Sequence, residues 1–341
     1  MSNSTRAFIC GCAGLTLSDD ERAFIARYSP WGFILFKRNI DNKDQVFALT
    51  SQFREIVGRP DAPVLIDQEG GRVQRMGPPH WPKYPAASLI NRAVGLSDVQ
   101  KVALARLSAR RMAEDLRLVG VNVDCLPVLD VPAPDGHGVI GDRAYADDPA
   151  TVARLGRAVA DGVMAGGVLP VIKHIPGHGR ARADSHLELP VVETDLKTLE
   201  TVDFAPFRAL ADLPLAMSAH VVYTAIDPER PATTSAKVVR DIIRGHIGFD
   251  GLLMSDDLSM KALGGSFGER TEAAFAAGLD MALHCNGDLR EGVPVAEASP
   301  VLDGKRLVRA ERALSLLRRP VEPIDPVDAL RQIDSLLAMT A

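Results

Sequence analysis

Three short runs hold most of the residues able to do chemistry in this 341-residue sequence. They are Asp67-Gln68-Glu69-Gly70-Gly71-Arg72, the stretch from Lys173 to His186, and Ser255-Asp256-Asp257. Asp256 follows Leu252-Leu253-Met254-Ser255, so its carboxylate should stand where an apolar strand ends. A carboxylate there can attack an electrophilic carbon or activate water, and the anomeric carbon of a sugar is a natural target. The opposing reading has the acid cap a following helix, Leu258–Leu263. The adjacent pair suits a division of labour, with Asp257 capping and Asp256 facing the site.

The second run reads Lys173-His174-Ile175-Pro176-Gly177-His178-Gly179-Arg180-Ala181-Arg182-Ala183-Asp184-Ser185-His186 and holds three of the eight histidines. Its glycines and proline make it a loop able to bend over a pocket. Asp184 and His186 are two residues apart, so the carboxylate can orient the imidazole and support its protonated form. Histidine titrates near neutrality and can act as acid in one step and base in the next. Two other chemistries remain open at this point. His174, His178, His186 and Asp256 could form an amidohydrolase-like metal cluster, although the His-x-His pair that usually opens such sites is replaced by Cys10-Gly11-Cys12. Lys173 could form a Schiff base, which would leave Asp67 and the Asp184/His186 pair without work.

Asp67, Arg72, Arg75 and Arg143 have the character of ligand-positioning groups. A carboxylate accepts two hydroxyl hydrogen bonds and an Arg fork donates to several oxygens. The commoner fate of an arginine is a surface ion pair. Gly70-Gly71 argues for a close backbone approach. Aromatic residues make up only 5% of the chain, so a long stacking platform for polysaccharide is not expected, and a small substrate fits better.

Eight apolar runs read as strands: Phe8–Cys10, Gly32–Leu35, Val64–Ile66, Val121–Val123, Val168–Lys173, Leu215–Ser218, Gly251–Ser255 and Met281–His284. Each is apolar on both faces, as in strands covered by helices on one side and packed inside a barrel on the other. Between them lie helical patterns, the clearest from Asp98 to Leu118, begun by Ser97-Asp98 and ended by Gly120. The alternation predicts an α/β fold, a single (β/α)₈ TIM-type barrel over residues 1–341, with residues 320–341 as a docked C-terminal tail. A doubly wound sheet is the alternative, but Cys10-Gly11-Cys12-Ala13-Gly14 imitates its glycine-rich turn poorly. In a barrel the active site lies at the C-terminal strand ends. Strands three, five, six and seven lead there into Asp67, Lys173-His174, Ser218-Ala219-His220 and Ser255-Asp256-Asp257.

The bulk composition narrows the partners. Formal net charge is −5 and the 39 basic residues are scattered, unlike the basic stripe of a nucleic-acid binder. No window approaches 18 uninterrupted apolar residues, so no membrane span is expected. The N-terminal MSNSTRAFICGCAG lacks the apolar core of an export signal, and Cys10, Cys12, Cys125 and Cys285 lack zinc-finger spacing with histidine. Reduced thiols and a cytoplasmic location are the expectation, with a small soluble substrate and neither metal nor cofactor.

The chain resembles the bacterial β-N-acetylhexosaminidases of glycoside hydrolase family 3. The resemblance is carried by Leu35-Phe36 with Arg38-Asn39, and by Asp67-Gln68-Glu69-Gly70-Gly71-Arg72-Val73-Gln74-Arg75. It continues through Lys173-His174-Ile175-Pro176-Gly177-His178-Gly179, Asp184-Ser185-His186 and Leu189-Pro190. His220, Pro231-Ala232-Thr233 with Ser235, Gly248-Phe249 with Gly251, and Ser255-Asp256-Asp257-Leu258-Ser259-Met260 complete it. It spans roughly Phe8 to Asp280. Around Arg143 the chain reads Gly141-Asp142-Arg143-Ala144-Tyr145, where the family usually has Arg-Ser-Phe-Gly. The resemblance implies a retaining mechanism with Asp256 as nucleophile, His186 as acid/base and Asp184 as its partner. It implies that Asp67, Arg75, Arg143, Lys173 and His174 hold N-acetylglucosamine. It further implies the single-domain type that removes β-1,4-linked N-acetylglucosamine from anhydro-muropeptides in cell-wall recycling. A phosphorylase using phosphate in place of water, and a metal-dependent amidohydrolase, are the competing activities.

Overall fold

Each of the eight apolar runs meets a strand, although the fourth shares only Val123 with its own, and the strands close on themselves. In the computed structural model, which describes residues 4–134, 138–181 and 188–338, they are β1 (Arg6–Cys10), β2 (Pro30–Leu35), β3 (Val64–Ile66), β4 (Val123–Asp124), β5 (Leu169–Ile175), β6 (Leu215–Ser218), β7 (Leu252–Asp257) and β8 (Met281–His284). Neighbours pair in parallel in chain order, and β8 pairs back onto β1 through Phe8–Ala282, Ile9–Leu283 and Cys10–His284. The fold is the (β/α)₈ barrel that the alternation predicts, not an open doubly wound sheet.

Side-chain alternation along each strand sets up both the core and the site. Ala7, Ile9, Leu65, Leu169, Val171, Leu252, Met254, Met281 and Leu283 belong to one buried cluster inside the barrel. The intervening Phe8, Ile172, Leu253 and Ala282 pack outward beneath the helices. Removing one such side chain from water is worth about 1.5–3 kcal/mol. Leu302, Ala310 and Ala313 join the inner cluster from segments 299–303 and 304–315. Counting on by two from Leu65, Val171 and Met254 gives Asp67, Lys173 and Asp256. The acids and the lysine therefore occupy the next inward positions above the apolar layers.

Two irregularities sharpen this placement. Between β5 and β6, Lys173 pairs with Met217 but Ile175 with Ser218, so His174 is an extra residue on its strand. Between β7 and β8, Met254 pairs with Met281 but Asp257 with Leu283, so β7 also carries one residue more than its partner. Such bulges re-aim side chains at barrel rims. The Ser255 hydroxyl accepts from Leu283 N at 2.9 Å and secures the second one.

The long helix α1 (Asp98–Leu118) has the predicted bounds. Ser97 and Gln100 form a capping box, and Leu104, Ala105, Met112 and Leu116 are buried. It carries the C-terminal helix α2 (Pro326–Ala338), which buries Ala329 and Ile333. Arg110 donates to Glu322 O, and Arg111 Nε donates to Pro326 O at 3.1 Å.

One expectation needs correction, because residues 258–263 are not a helix but a series of turns. Arg270 Nη1 donates to the carbonyl of Leu258 (2.7 Å), which a helix here would need for its own bond to residue 262, and to that of Met260 (3.2 Å). Asp257 therefore caps a turn instead, accepting from Ser259 N at 3.0 Å, Ser259 Oγ at 2.7 Å and Cys285 N at 3.2 Å.

Candidate active site

At the C-terminal mouth of the barrel a cavity of about 280 Å³ is lined by Asp67, Arg75, Arg143, Lys173, His174 and Asp256, among others. Six of the eight predicted site residues thus meet in one place. Asp184 and His186 lie outside the described residues. Pockets for drug-sized ligands run to roughly 300–1,000 Å³, so this one suits a single small ring better than a chain.

The polar floor is an alternating network. Lys173 Nζ is 2.8 Å from Asp67 Oδ1 and 2.7 Å from Glu69 Oε1, and its side chain is only 2% exposed. Arg75 Nη2 donates to Asp67 Oδ2 at 2.9 Å and its guanidinium lies 5.0 Å from the Phe36 ring. Arg143 grips Glu69 with Nε and Nη2, both at 2.8 Å. Burial alone would raise the Asp67 carboxyl, but Lys173 and Arg75 hold it well below the usual carboxylate range. Glu69 is likewise lowered against burial, by Lys173 and Arg143. Burial would discharge Lys173, yet the two carboxylates keep it charged well above its ordinary value. A lysine held so firmly as ammonium is a poor amine nucleophile, which counts against the Schiff-base reading.

Asp256 is 8% exposed, and its Oδ1 accepts from Asp257 N at 2.8 Å. Its carboxyl is lowered although burial opposes this; His174, then His220, then the Asp257 N–H and Lys173 outweigh the desolvation. It is therefore an ionised carboxylate largely withdrawn from water, as an attacking or electrostatically stabilising group requires.

His174 Nδ1 lies 2.7 Å from Asp130 Oδ2, and His178 N donates to Asp130 Oδ1 at 2.6 Å. The His174 and His178 rings meet edge to face, with centroids 5.6 Å apart. Burial, then His174, lowers His178 to about 4, so it is a neutral imidazole at neutral pH. His220 does not line the cavity. Its ring nitrogens are 2.8 Å from Thr233 Oγ1 and 3.1 Å from Asp257 O, so it braces the wall instead.

Arg72 reaches the cavity rim, but its hydrogen bonds go to the neighbouring loop: Asp142 at 2.7 Å, Val139 O at 2.5 Å and Ile140 O at 3.1 Å. It holds the wall that brings Val139 and Ile140 to the rim, beside Phe36, Val73 and Met260. Gly70 and Gly71 have φ of +88° and +58°, and a Cβ on Gly70 would come within 2.3 Å of Pro85 O. The close backbone approach is real, and the neighbour is the chain itself.

Glu69, which lines the cavity, and Asp130, which lies behind it, were passed over as individuals in the sequence, and His178 was considered there only as a metal ligand. Glu69 had a usable signal, since it lies two residues from Asp67. Asp130 sits in the apolar run Leu126–Pro132, where a lone acid needs a buried partner. Among the described residues, no three His, Cys, Asp or Glu side chains are grouped to hold a metal ion.

Similar proteins are known for both the sequence and the fold. The family model described as the glycosyl hydrolase family 3 N-terminal domain matches residues 9–312. A β-hexosaminidase of Alkalilimnicola ehrlichii is 40% identical over 311 residues, covering 88% of this chain and 86% of that protein. One of Methylococcus capsulatus is 42% identical over 277 residues, 80% of each. The structure of NagZ from Neisseria gonorrhoeae with N-trifluoroacetyl-D-glucosamine superposes with a TM-score of 0.85 at 28% identity, covering 99% of both chains. The chain belongs to glycosyl hydrolase family 3 and is a glycoside hydrolase of the β-hexosaminidase type.

Proposed function

We propose that the protein is a retaining exo-β-N-acetylglucosaminidase that removes terminal β-1,4-linked N-acetylglucosamine from anhydro-muropeptides during cell-wall recycling in the cytoplasm. Asp256 attacks the anomeric carbon while His186, oriented by Asp184, protonates the departing oxygen. The glycosyl-enzyme is then hydrolysed by water that His186 deprotonates. Asp67, Arg75, Arg143, Lys173 and His174 hold the hydroxyl and acetamido groups of the sugar. The barrel and its C-terminal tail act as one catalytic unit, without cofactor.

The observation that carries this reading is the buried, ionised Asp256 beside His174, in a cavity sized for one ring and floored by the Asp67–Lys173–Glu69–Arg143 network. It is supported by the β-hexosaminidase names of the relatives and by the N-acyl-glucosamine bound to the Neisseria protein.

The test is nitrophenol release from the β-N-acetylglucosaminide and the β-glucoside, by wild type and Asp256→Ala. A strong preference for the acetamido sugar, lost in the variant, is expected; equal rates on both sugars, or an active variant, would refute it. Proton NMR of the first-formed sugar should show the β anomer. Adding phosphate should leave the product unchanged, whereas a sugar phosphate would make the enzyme a phosphorylase. His186→Ala should slow muropeptide cleavage far more than aryl glycoside cleavage, because an activated leaving group needs little acid help.

A further inference from the structure

Asp130 has no exposed surface and does not line the cavity, yet its hydrogen bonds go to the segment that does. Oδ2 faces His174 Nδ1 at 2.7 Å, and Oδ1 accepts from His178 N at 2.6 Å and from His174 N at 3.3 Å. Burial would raise its carboxyl, but His174 and then His178 hold it below the ordinary value, so it is a carboxylate and an acceptor only. Facing an acceptor, His174 Nδ1 must carry the proton. Nε2 is then the only polar ring atom left for the cavity.

We infer that Asp130 is a positioning residue for the hydrolysis: it fixes the tautomer and orientation of His174, and through His178 N it anchors the bend that leads toward His186. The inference rests on the reading of His174 as a sugar-holding group and Asp256 as the nucleophile. The same device, a buried carboxylate behind a working imidazole, sets ring orientation in metal sites and catalytic triads.

Among the described residues, the charged and titratable groups around the His174 ring come from four segments. Asp130 lies behind it, Asp256 on β7, His178 on its own loop and His220 after β6. Burial lowers both His178 and His220 and disfavours their charged forms. The electrostatic chain therefore runs from Asp130 through His174 to Asp256. Replacing the Asp130 carboxylate with an amide removes the acceptor that fixes the His174 ring beside Asp256. Against burial, that ring does most to keep Asp256 ionised.

The first test uses the wild-type full chain. Nitrogen NMR of labelled histidine, with His174 assigned by its loss in His174→Gln, should show Nδ1 protonated from about pH 5 to 8. A ring protonated at Nε2 alone would overturn the inference, whether or not the enzyme cleaves the expected sugar. The second test is Asp130→Asn, which presents an NH₂ donor to His174 and should force the other tautomer. kcat/KM on the aryl N-acetylglucosaminide should fall about 10- to 100-fold, as for other supporting carboxylates. The acid limb of its pH profile should move to higher pH. In a His174→Gln background the same substitution should leave the profile where it is. Equal shifts in both backgrounds, or a uniform loss with the profile unmoved, would reduce Asp130 to a structural role. If Asp130→Asn fails to fold, the wild-type ring measurement alone decides.

Discussion

Arg143 meets Glu69 as a fork, Nε to Oε2 and Nη2 to Oε1, each at 2.8 Å, while Glu69 also lies 2.7 Å from Lys173. The guanidinium plane is thereby fixed from behind, where a flexible ammonium would not be. Arg143→Lys should keep the charge but lose the second bond and the fixed plane. We expect kcat/KM on the aryl N-acetylglucosaminide to fall about 10- to 100-fold, mostly through KM, with little change in urea midpoint. A variant within twofold of wild type would show that the fork does not position substrate.

Acid should unfold the protein through two groups in turn. His178 is depressed to about 4 by burial, then by His174, against an unfolded value near 6.5. The unfolded chain takes up that proton first, so the stability it contributes above pH 6.5 is lost as pH falls from 6.5 toward 4. Asp67 is depressed by Lys173 and Arg75 against burial, so its contribution is lost below the ordinary carboxylate value of about 4. In urea titrations, His178→Gln should flatten the slope between pH 6.5 and 4 and leave the lower branch intact. An unchanged slope in the upper window would mean that His178 is not the group.

Arg270 ties the turns after Asp257 to the rest of the barrel through Leu258 O at 2.7 Å, Met260 O at 3.2 Å and Gly265 Nε-to-O at 3.1 Å. Met260 from this segment lines the cavity. Arg270→Ala strips donors from partly buried carbonyls, at a cost of about 1–3 kcal/mol. Substrate should bind more weakly while the pH profile stays in place. A variant with wild-type KM would show that the segment keeps its shape without the clamp.

Leu65 is fully buried inside the barrel, one inward position below Asp67. Leu65→Ala should cost about 2–5 kcal/mol in urea unfolding. Activity per folded molecule should fall too, since the cavity left behind lies directly beneath the Asp67–Lys173 pair. A stability loss under 1 kcal/mol would mean that the layer collapses easily around the gap.

The strands and the principal acids were legible because one periodicity governs both. Apolar residues at alternate positions mark the inward column, and Asp67, Lys173 and Asp256 continue it in sequence. What was not legible depends on partners far along the chain. The Leu258–Leu263 segment has an acid before it like any helix start, but Arg270 takes its carbonyls, and no local pattern reports that. Glu69 looks like any exposed acid until Lys173 and Arg143 arrive from β5 and the loop before residue 149. The extra residues at His174 and near Asp256 are invisible without knowing which residue of the next strand each one faces. Arg72 had the right neighbourhood and the wrong task, because its acceptors belong to a loop nearly seventy residues away.

The shared column of β5 has a consequence for how this barrel can vary. Leu169 and Val171 face inward, and Lys173 continues their column. Losing a single residue between Leu169 and Lys173 would rotate the lysine outward beneath the helices and turn an apolar neighbour into the mouth. Losing two would restore the facing and shorten the stave. Point changes at the top of a stave can therefore explore new sugars over an untouched core, whereas odd-numbered deletions erase the site and the packing in one step. What descendants of this chain must preserve is the parity of each stave as well as the identity of its acids.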